Sequence, residues 1–207
     1  MINTMRKIYS LFLILSMFFS INVVAQSTDK GEVDAFSKID QAPEKFTGIR
    51  AGWHMASLVE NGNLPDTAKS INRFYVGVFF EKKASDLISI GTGIEYFQNG
   101  SKYTDNSARV FHTISFPINL KLKLGPFFGI GGVAGNFKVS EKIEIDDNST
   151  SVPSIYKSNY FDIPIYAGAG VKLWIVNVEF RYNWGLLEAK NGFKHRYLQV
   201  GLGVYLK

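Results

Sequence analysis

The chain has 207 residues, with 23 Lys and Arg against 18 Asp and Glu, a formal net charge of +5 and no cysteine. That mild excess of base gives no nucleic-acid signal. Without cysteine there are no disulfides, so an exported product must be held by a closed hydrogen-bonded sheet or by an ordinary packed interior.

The first segment carries Arg6 and Lys7, then an apolar run from Ile8 through Phe19, then Val23, Val24 and Ala25 ahead of a polar stretch beginning at Gln26. This order predicts a secretory signal peptide over residues 1–25, cut after Ala25. A membrane anchor is the alternative, but the run is shorter than the roughly 20 residues of a spanning helix. Loss of Arg6 and Lys7 lowers the formal charge from +5 to +3. Residues 26–45, polar and mixed in charge with Pro43 near the end, read as a loosely ordered periplasmic lead-in, and residues 46–207 as the folded domain. No later segment is long and apolar enough for a spanning helix.

From Phe46 onward, alternating stretches of about ten to thirteen residues recur eight times. Phe46 to Leu58 sets Ile49, Ala51, Trp53 and Met55 against Gly48, Arg50, Gly52 and His54. Period two makes this division strict, since a slip of one residue would place Arg50 in lipid. Arg73 to Lys82 sends Phe74, Val76, Val78 and Phe80 outward and Tyr75, Gly77, Phe79 and Glu81 inward. Leu87 to Gln98 sends Ile88, Ile90, Thr92, Ile94 and Tyr96 outward and Ser89, Gly91, Gly93 and Glu95 inward. In the fourth strand, Ile114, Phe116, Ile118, Leu120, Leu122 and Leu124 alternate with Ser115, Pro117, Asn119, Lys121 and Lys123, and Pro117 suggests a bulge or local irregularity.

Phe127 to Phe137 sets Phe128, Ile130, Gly132 and Ala134 against Gly129, Gly131, Val133 and Gly135. Tyr160 to Leu173 sets Ile163, Ile165, Ala167, Ala169, Val171 and Leu173 against Asp162, Pro164, Tyr166, Gly168 and Gly170. Ile175 to Gly185 opposes Val176, Val178, Phe180, Tyr182 and Trp184 to Asn177, Glu179, Arg181 and Asn183. Arg196 to Lys207 opposes Leu198, Val200, Leu202, Val204 and Leu206 to Tyr197, Gln199, Gly201, Gly203 and Tyr205.

The connections alternate in length. Short turns fall at Lys83 to Asp86, at Gly125 and Pro126, and at Trp174; longer polar stretches fall at Val59 to Asn72, Asn99 to Arg109, Lys138 to Asn159 and Leu186 to His195. Phe46, Phe80, Phe127, Phe128 and Trp174 lie near the short-turn ends, and Phe74, Tyr96, Tyr160, Tyr182 and Trp184 near the others, as two interfacial girdles would. A soluble lipocalin-like barrel would have to enclose Trp53, Phe80, Phe116, Phe180 and the leucines of the fourth strand while exposing the glycines, and eight strands leave an interior only side chains wide. The expected fold is therefore all-β: an eight-stranded antiparallel up-and-down transmembrane β-barrel, short turns periplasmic and long connections outside.

Five stretches carry a family resemblance: Gly48-Ile49-Arg50-Ala51-Gly52-Trp53-His54, Val76-Gly77-Val78-Phe79-Phe80-Glu81, Phe116-Pro117-Ile118, Gly129-Ile130-Gly131-Gly132 and Glu179-Phe180-Arg181-Tyr182-Asn183-Trp184-Gly185-Leu186. Together with the Ala25-Gln26 cleavage site they resemble the PorT-type, OmpA-like outer-membrane β-barrel proteins of Bacteroidota over nearly the whole chain from Phe46. The chain departs from that pattern at its end, Tyr205-Leu206-Lys207, where outer-membrane barrels commonly carry a terminal aromatic. The resemblance implies an outer-membrane barrel and a family that includes a factor associated with secretion across that membrane. It carries over no functional residue, because the matching motifs are structural.

By parity the inward charges are Arg50, Glu81, Glu95, Lys121, Lys123, Asp162, Glu179 and Arg181, four acids and four bases. Such a set predicts paired networks that plug the barrel, since unpaired charges in a narrow interior are costly. An ion-selective pore needs more free space and one dominant sign of charge, and the few apolar inward residues argue against a hydrophobic tunnel. For an enzyme, His112 and Ser115 stand three residues apart and so point to opposite faces, as do His54 and Ser57, leaving His195 with Glu188, Asp146 and Asp147 as loop acids and base. No nucleophile, base and orienting group stand together.

Glu141, Glu144, Asp146 and Asp147 offer oxygen ligands to calcium but without a calcium-loop spacing. Lys69, Arg73, Lys102, Arg109, Lys157, Lys190, Lys194 and Arg196 make a loose basic rim suited to lipid phosphates or simply to solvent. Asp66-Thr67-Ala68 resembles the short O-glycosylation motif of the same bacterial group. The expected protein is non-enzymatic and free of cofactor or metal, with outer-membrane lipid, lipopolysaccharide and envelope proteins as partners and no nucleic acid; its task is structural or interactive, with a transport or enzymatic barrel as the alternative.

Overall fold

β-branched and aromatic residues at every second position suit a pleated strand whose two faces meet different surroundings, and in this computed structural model they form ten strands among the described residues. The structure describes residues 44–60, 65, 69–104, 107–145, 148–151, 158–190 and 192–206. The signal peptide, nearly all of the lead-in, Asp66-Thr67-Ala68, Asp146, Asp147, Lys157 and Lys207 lie outside the described residues.

The strands are β1 (Lys45–Glu60), β2 (Ile71–Lys83), β3 (Ile88–Thr104), β4 (Ser107–Leu124), β5 (Phe127–Ile145), β6 (Asn148–Ser151), β7 (Phe161–Asp162), β8 (Pro164–Leu173), β9 (Val176–Lys190) and β10 (Phe193–Leu206). Every pairing is antiparallel. β1 pairs with β2 and β10, and the chain of neighbours runs β1-β2-β3-β4-β5-β8-β9-β10, closing a ring of eight strands. The β7 residues, just ahead of β8, extend its pairing with β5, and β6 pairs with the far end of β5. Closure leaves the ring without an open edge, as a membrane-spanning sheet requires.

The apolar edges face out. Ile49, Trp53, Phe74, Val78, Phe80, Phe116, Leu120, Val178, Phe180 and Leu202 are exposed, while Arg50, Glu81, Glu95, Lys121, Glu179 and Arg181 are buried. β5 reverses the pattern: its Phe128, Ile130 and Ala134 are buried inside and Val133 is exposed. Two of the aromatics assigned to the girdles also turn inward. Phe128 packs with Ile130, Ala134 and Tyr166, and Phe46 meets the inward Tyr205 edge-on at 5.7 Å.

Inward glycines make room for rings in this narrow space. A Cβ on Gly201 would lie 2.1 Å from the Tyr75 hydroxyl, and one on Gly48 would lie 2.3 Å from the Phe79 ring. Pro117 produces no bulge. It stays in register opposite Ala134, and Thr92 Oγ1 donates to its carbonyl at 3.0 Å; the register shift of β4 lies at His112 and Thr113.

Three of the long connections are largely strand. β3 and β4 run on to Thr104 and Ser107, β5 to Ile145 before folding back as β6, and β9 and β10 to Lys190 and Phe193. Polar composition marked these stretches as loops, but backbone groups above the membrane can still pair with one another, so the hairpins continue past the apolar band.

Candidate functional site

Toward the short-turn end, β1, β2, β3, β4 and β9 bring seven of the eight expected charges together. Arg50 Nη1 lies 3.2 Å from Glu179 Oε1, and Arg50 Nε lies 3.4 Å from Glu95 Oε1. Arg181 contacts the same two oxygens, through Nε at 2.9 Å and Nη2 at 3.0 Å. Lys121 Nζ stands 3.1 Å from Glu81 Oε2 and 3.7 Å from Glu179 Oε2, and Lys123 Nζ lies 2.7 Å from Glu81 Oε1. Tyr205 donates its hydroxyl to Glu81 at 3.1 Å.

Asp162 stands apart. Its Oδ1 accepts from the Leu187 amide at 3.2 Å, and it lines a cavity of about 20 Å³, room for a single water, with Asn99, Thr113, Asn136 and His195. Lys172 lies among the network instead, its ammonium 4.0 Å from the Tyr205 ring centre and 4.7 Å from that of Phe46. The parity that assigned Gly168 and Gly170 to the interior reaches Lys172 if carried one step further. The cluster thus holds five bases, Arg50, Lys121, Lys123, Lys172 and Arg181, against three acids, Glu81, Glu95 and Glu179, instead of the balanced set expected from sequence.

The other half of the interior holds apolar clusters among buried polar side chains such as Asn99, Asn136 and Gln199, contrary to the expectation of few apolar inward residues. His54 contacts both Phe97 and Tyr197, with ring centres 4.8 and 5.0 Å away, and shares a hydrogen bond with Asn99 at 2.8 Å. Ala56, Ile71, Tyr75, Phe97, Ala108, Val110 and Tyr197 form one cluster around it; Leu58, Phe111 and Ala189 form another, with Phe193 against it. Val110 and Phe111 are consecutive and only 0% and 1% exposed, so both faces of β4 are covered there. A strand standing between lipid and lumen has no such double cover. The excess length of the hairpins, invisible to period-two patterning, supplies these side chains.

Beyond the apolar band, Glu141 accepts hydrogen bonds from Lys138, from Arg109 and from the Ser158 amide, the last at 2.9 Å. Burial pushes its carboxyl up, and these donors more than offset that, holding it below the usual carboxylate range. Glu144 pairs with Arg73 at 2.5 Å. Two carboxylates of the supposed calcium loop and two bases of the supposed rim are therefore engaged with each other.

The histidines do not assemble an acid–base set. His54 points inward and Ser57 bonds Ser70 at 2.6 Å; His112 meets the Tyr96 hydroxyl at 2.6 Å while Ser115 is buried inside. His195 lies in β10 against the Phe111 ring, and Glu188 accepts from the Gly192 amide.

A closed ring of eight antiparallel strands, apolar outside and charged within, defines a transmembrane barrel of the outer-membrane type. Residues 11–191 match the family model described as outer membrane protein beta-barrel domain, and the chain belongs to that family. Among solved structures, the attachment invasion locus protein Ail of Yersinia pestis, in complex with the heparin analogue sucrose octasulfate, is 14% identical. It aligns with a TM-score of 0.50 over 79% of this chain and 99% of its own. Neisserial surface protein A is 10% identical, with a TM-score of 0.49 over 76% of this chain and 96% of its own. At these identities the likeness concerns the fold. No protein of curated function matches the chain.

Proposed function

We propose that the protein is a closed, non-enzymatic barrel of the outer membrane that acts as a structural or interaction protein of the cell envelope, through its two ends and its lipid-facing belt. The observation that carries this is the filled interior. Arg181, Tyr75, Phe97, His54 and Gln199 are each less than 2% exposed, and they occupy both the charged and the apolar halves of a space only side chains wide. The charges Arg50, Glu81, Glu95, Lys121, Lys123, Glu179 and Arg181 serve there as a structural plug.

In this proposal residues 1–25 direct export, the short turns face the periplasm with the lead-in 26–45, and the long hairpins face outside. Lipid and lipopolysaccharide surround the belt, and envelope proteins meet the ends. The resemblance to the PorT-type barrels of Bacteroidota supports a role as an accessory of secretion or envelope assembly. The second reading is a small pore, favoured only by the charged half of the interior.

Planar-bilayer recording separates the two. The purified protein is expected to give no steady unitary currents; currents that persist for many minutes and change with Arg50→Ala would establish a pore. Crosslinking in the native membrane, followed by identification of the captured chains, is expected to recover envelope proteins.

A further inference from the structure

The interior charges do not cancel. Glu95 and Glu179 are each held by Arg50 and Arg181, and Glu81 is held by Lys121, Lys123 and the Tyr205 hydroxyl. Among the described residues of this cluster five bases, Lys172 included, therefore face three acids, an excess of two positive charges. Two of these bases, Lys172 and Lys123, stand at the short-turn mouth beside Phe46. Lys172 rests on the Tyr205 and Phe46 rings, and the two carboxylates that act on it from a distance, Glu81 and Glu44, are engaged by Lys123 and by Lys83.

Lys123 lies at the same entrance, its ammonium 6.0 Å from the Phe46 ring centre. Its side chain is 22% exposed, whereas that of Lys121 deeper inside is 4% exposed. Two ammonium groups near one ring, reachable from solvent and backed by low-dielectric protein, make the field at this mouth positive among the described residues. Chloride satisfies charge but makes poor use of two flexible ammonium donors; a group with several oxygens can accept from both.

We propose that the short-turn mouth, walled by Lys123 and Lys172 and floored by Phe46 and Tyr205, is an oxyanion site that takes a phosphate group. The phosphate has two sources, free inorganic phosphate or the headgroup of a phospholipid in the adjacent leaflet. The site depends on the geometry of the mouth and stands whichever side of the membrane the mouth faces.

The test uses the whole protein, isotope-labelled, in maltoside micelles, which carry no phosphate of their own. One arm adds sodium phosphate and the other dopes the micelles with phosphatidylglycerol, each against sodium chloride at matched ionic strength. Saturable shifts of the amides of Lys172, Trp174 and Phe46 are expected in one or both arms. Phosphate alone identifies the free anion; phosphatidylglycerol alone identifies the headgroup.

Lys172→Gln is expected to weaken binding about tenfold, the loss of one charge-assisted contact, and Lys172→Arg to retain it. Should Lys172→Gln not fold, Lys123→Gln provides the same comparison. Shifts no larger than those given by chloride, or phosphate binding unchanged in the Gln variants, would overturn the proposal.

Discussion

Arg50 Nη1 donates to Glu179 Oε1 at 3.2 Å, although 129 residues separate the two in sequence and β10 lies between their strands. The contact works because the barrel is narrow enough for long side chains to reach past a neighbouring strand. The intervening inward positions Gly201 and Gly203 offer no side chain to block it.

Removal of Glu179 therefore has a specific expected cost. It frees Arg50 and Arg181 from one of their two shared acceptors and enlarges an existing positive excess. Glu179→Ala should destabilise the barrel by about 3 to 5 kcal/mol, the range for a broken buried pair, in urea unfolding from lipid vesicles. A change within error would show that the remaining carboxylates or water take up the charge.

The apolar half is expected to matter as much. Phe97 is 1% exposed and contacts both the His54 and Tyr197 rings. Phe97→Ala should cost about 3 to 5 kcal/mol through lost burial and the cavity left behind, measured by the same unfolding assay. Replacement by Leu should recover much of that loss.

On the outer surface, Leu120→Arg and Val178→Arg place a charge where the barrel exposes apolar side chains. Each is expected to cost about 2 to 4 kcal/mol if its position lies near the bilayer midplane. Sheet-rich circular dichroism of the wild type in detergent is the baseline, and a monodisperse water-soluble product without detergent would refute the membrane assignment.

Orientation is tested with single cysteines in a chain that has none. Ser149→Cys, in β6, should label with an impermeant maleimide on intact cells, and Ser85→Cys, in the turn between β2 and β3, should not. The reverse result would invert the barrel.

The Glu141 clasp carries a pH signature. Its carboxyl is held below the usual range by Lys138, Ser158 and Arg109 despite burial, so the clasp contributes stability that is fully present above the ordinary carboxylate pKa of about 4.3. That contribution is lost as pH falls through the depressed folded value. Protection of the β5 amides near Glu141, taken relative to the intrinsic exchange rate at each pH, should be high at neutral pH and fall in acid, and in Glu141→Gln it should be low at both.

Period two in the sequence was enough to determine which face of seven strands meets lipid, because a one-residue slip exchanges every side chain. It also determined the strand number and the alternation of short and long connections. The fifth strand failed because its two faces differ too little: Phe128 and Ile130 read as lipid-facing until the ring of Phe128 is seen packed over Gly170 inside. Pairing across the interior needed the tertiary structure, since which charges meet depends on the stagger of the strands around the ring. The same stagger separated Asp162 from the network and brought Lys172 to its mouth. The apolar cap was hidden for a related reason: Ile71, Val110 and Phe111 sit in or beside stretches whose polar composition reads as loop, and their burial comes from hairpins that continue past the apolar band.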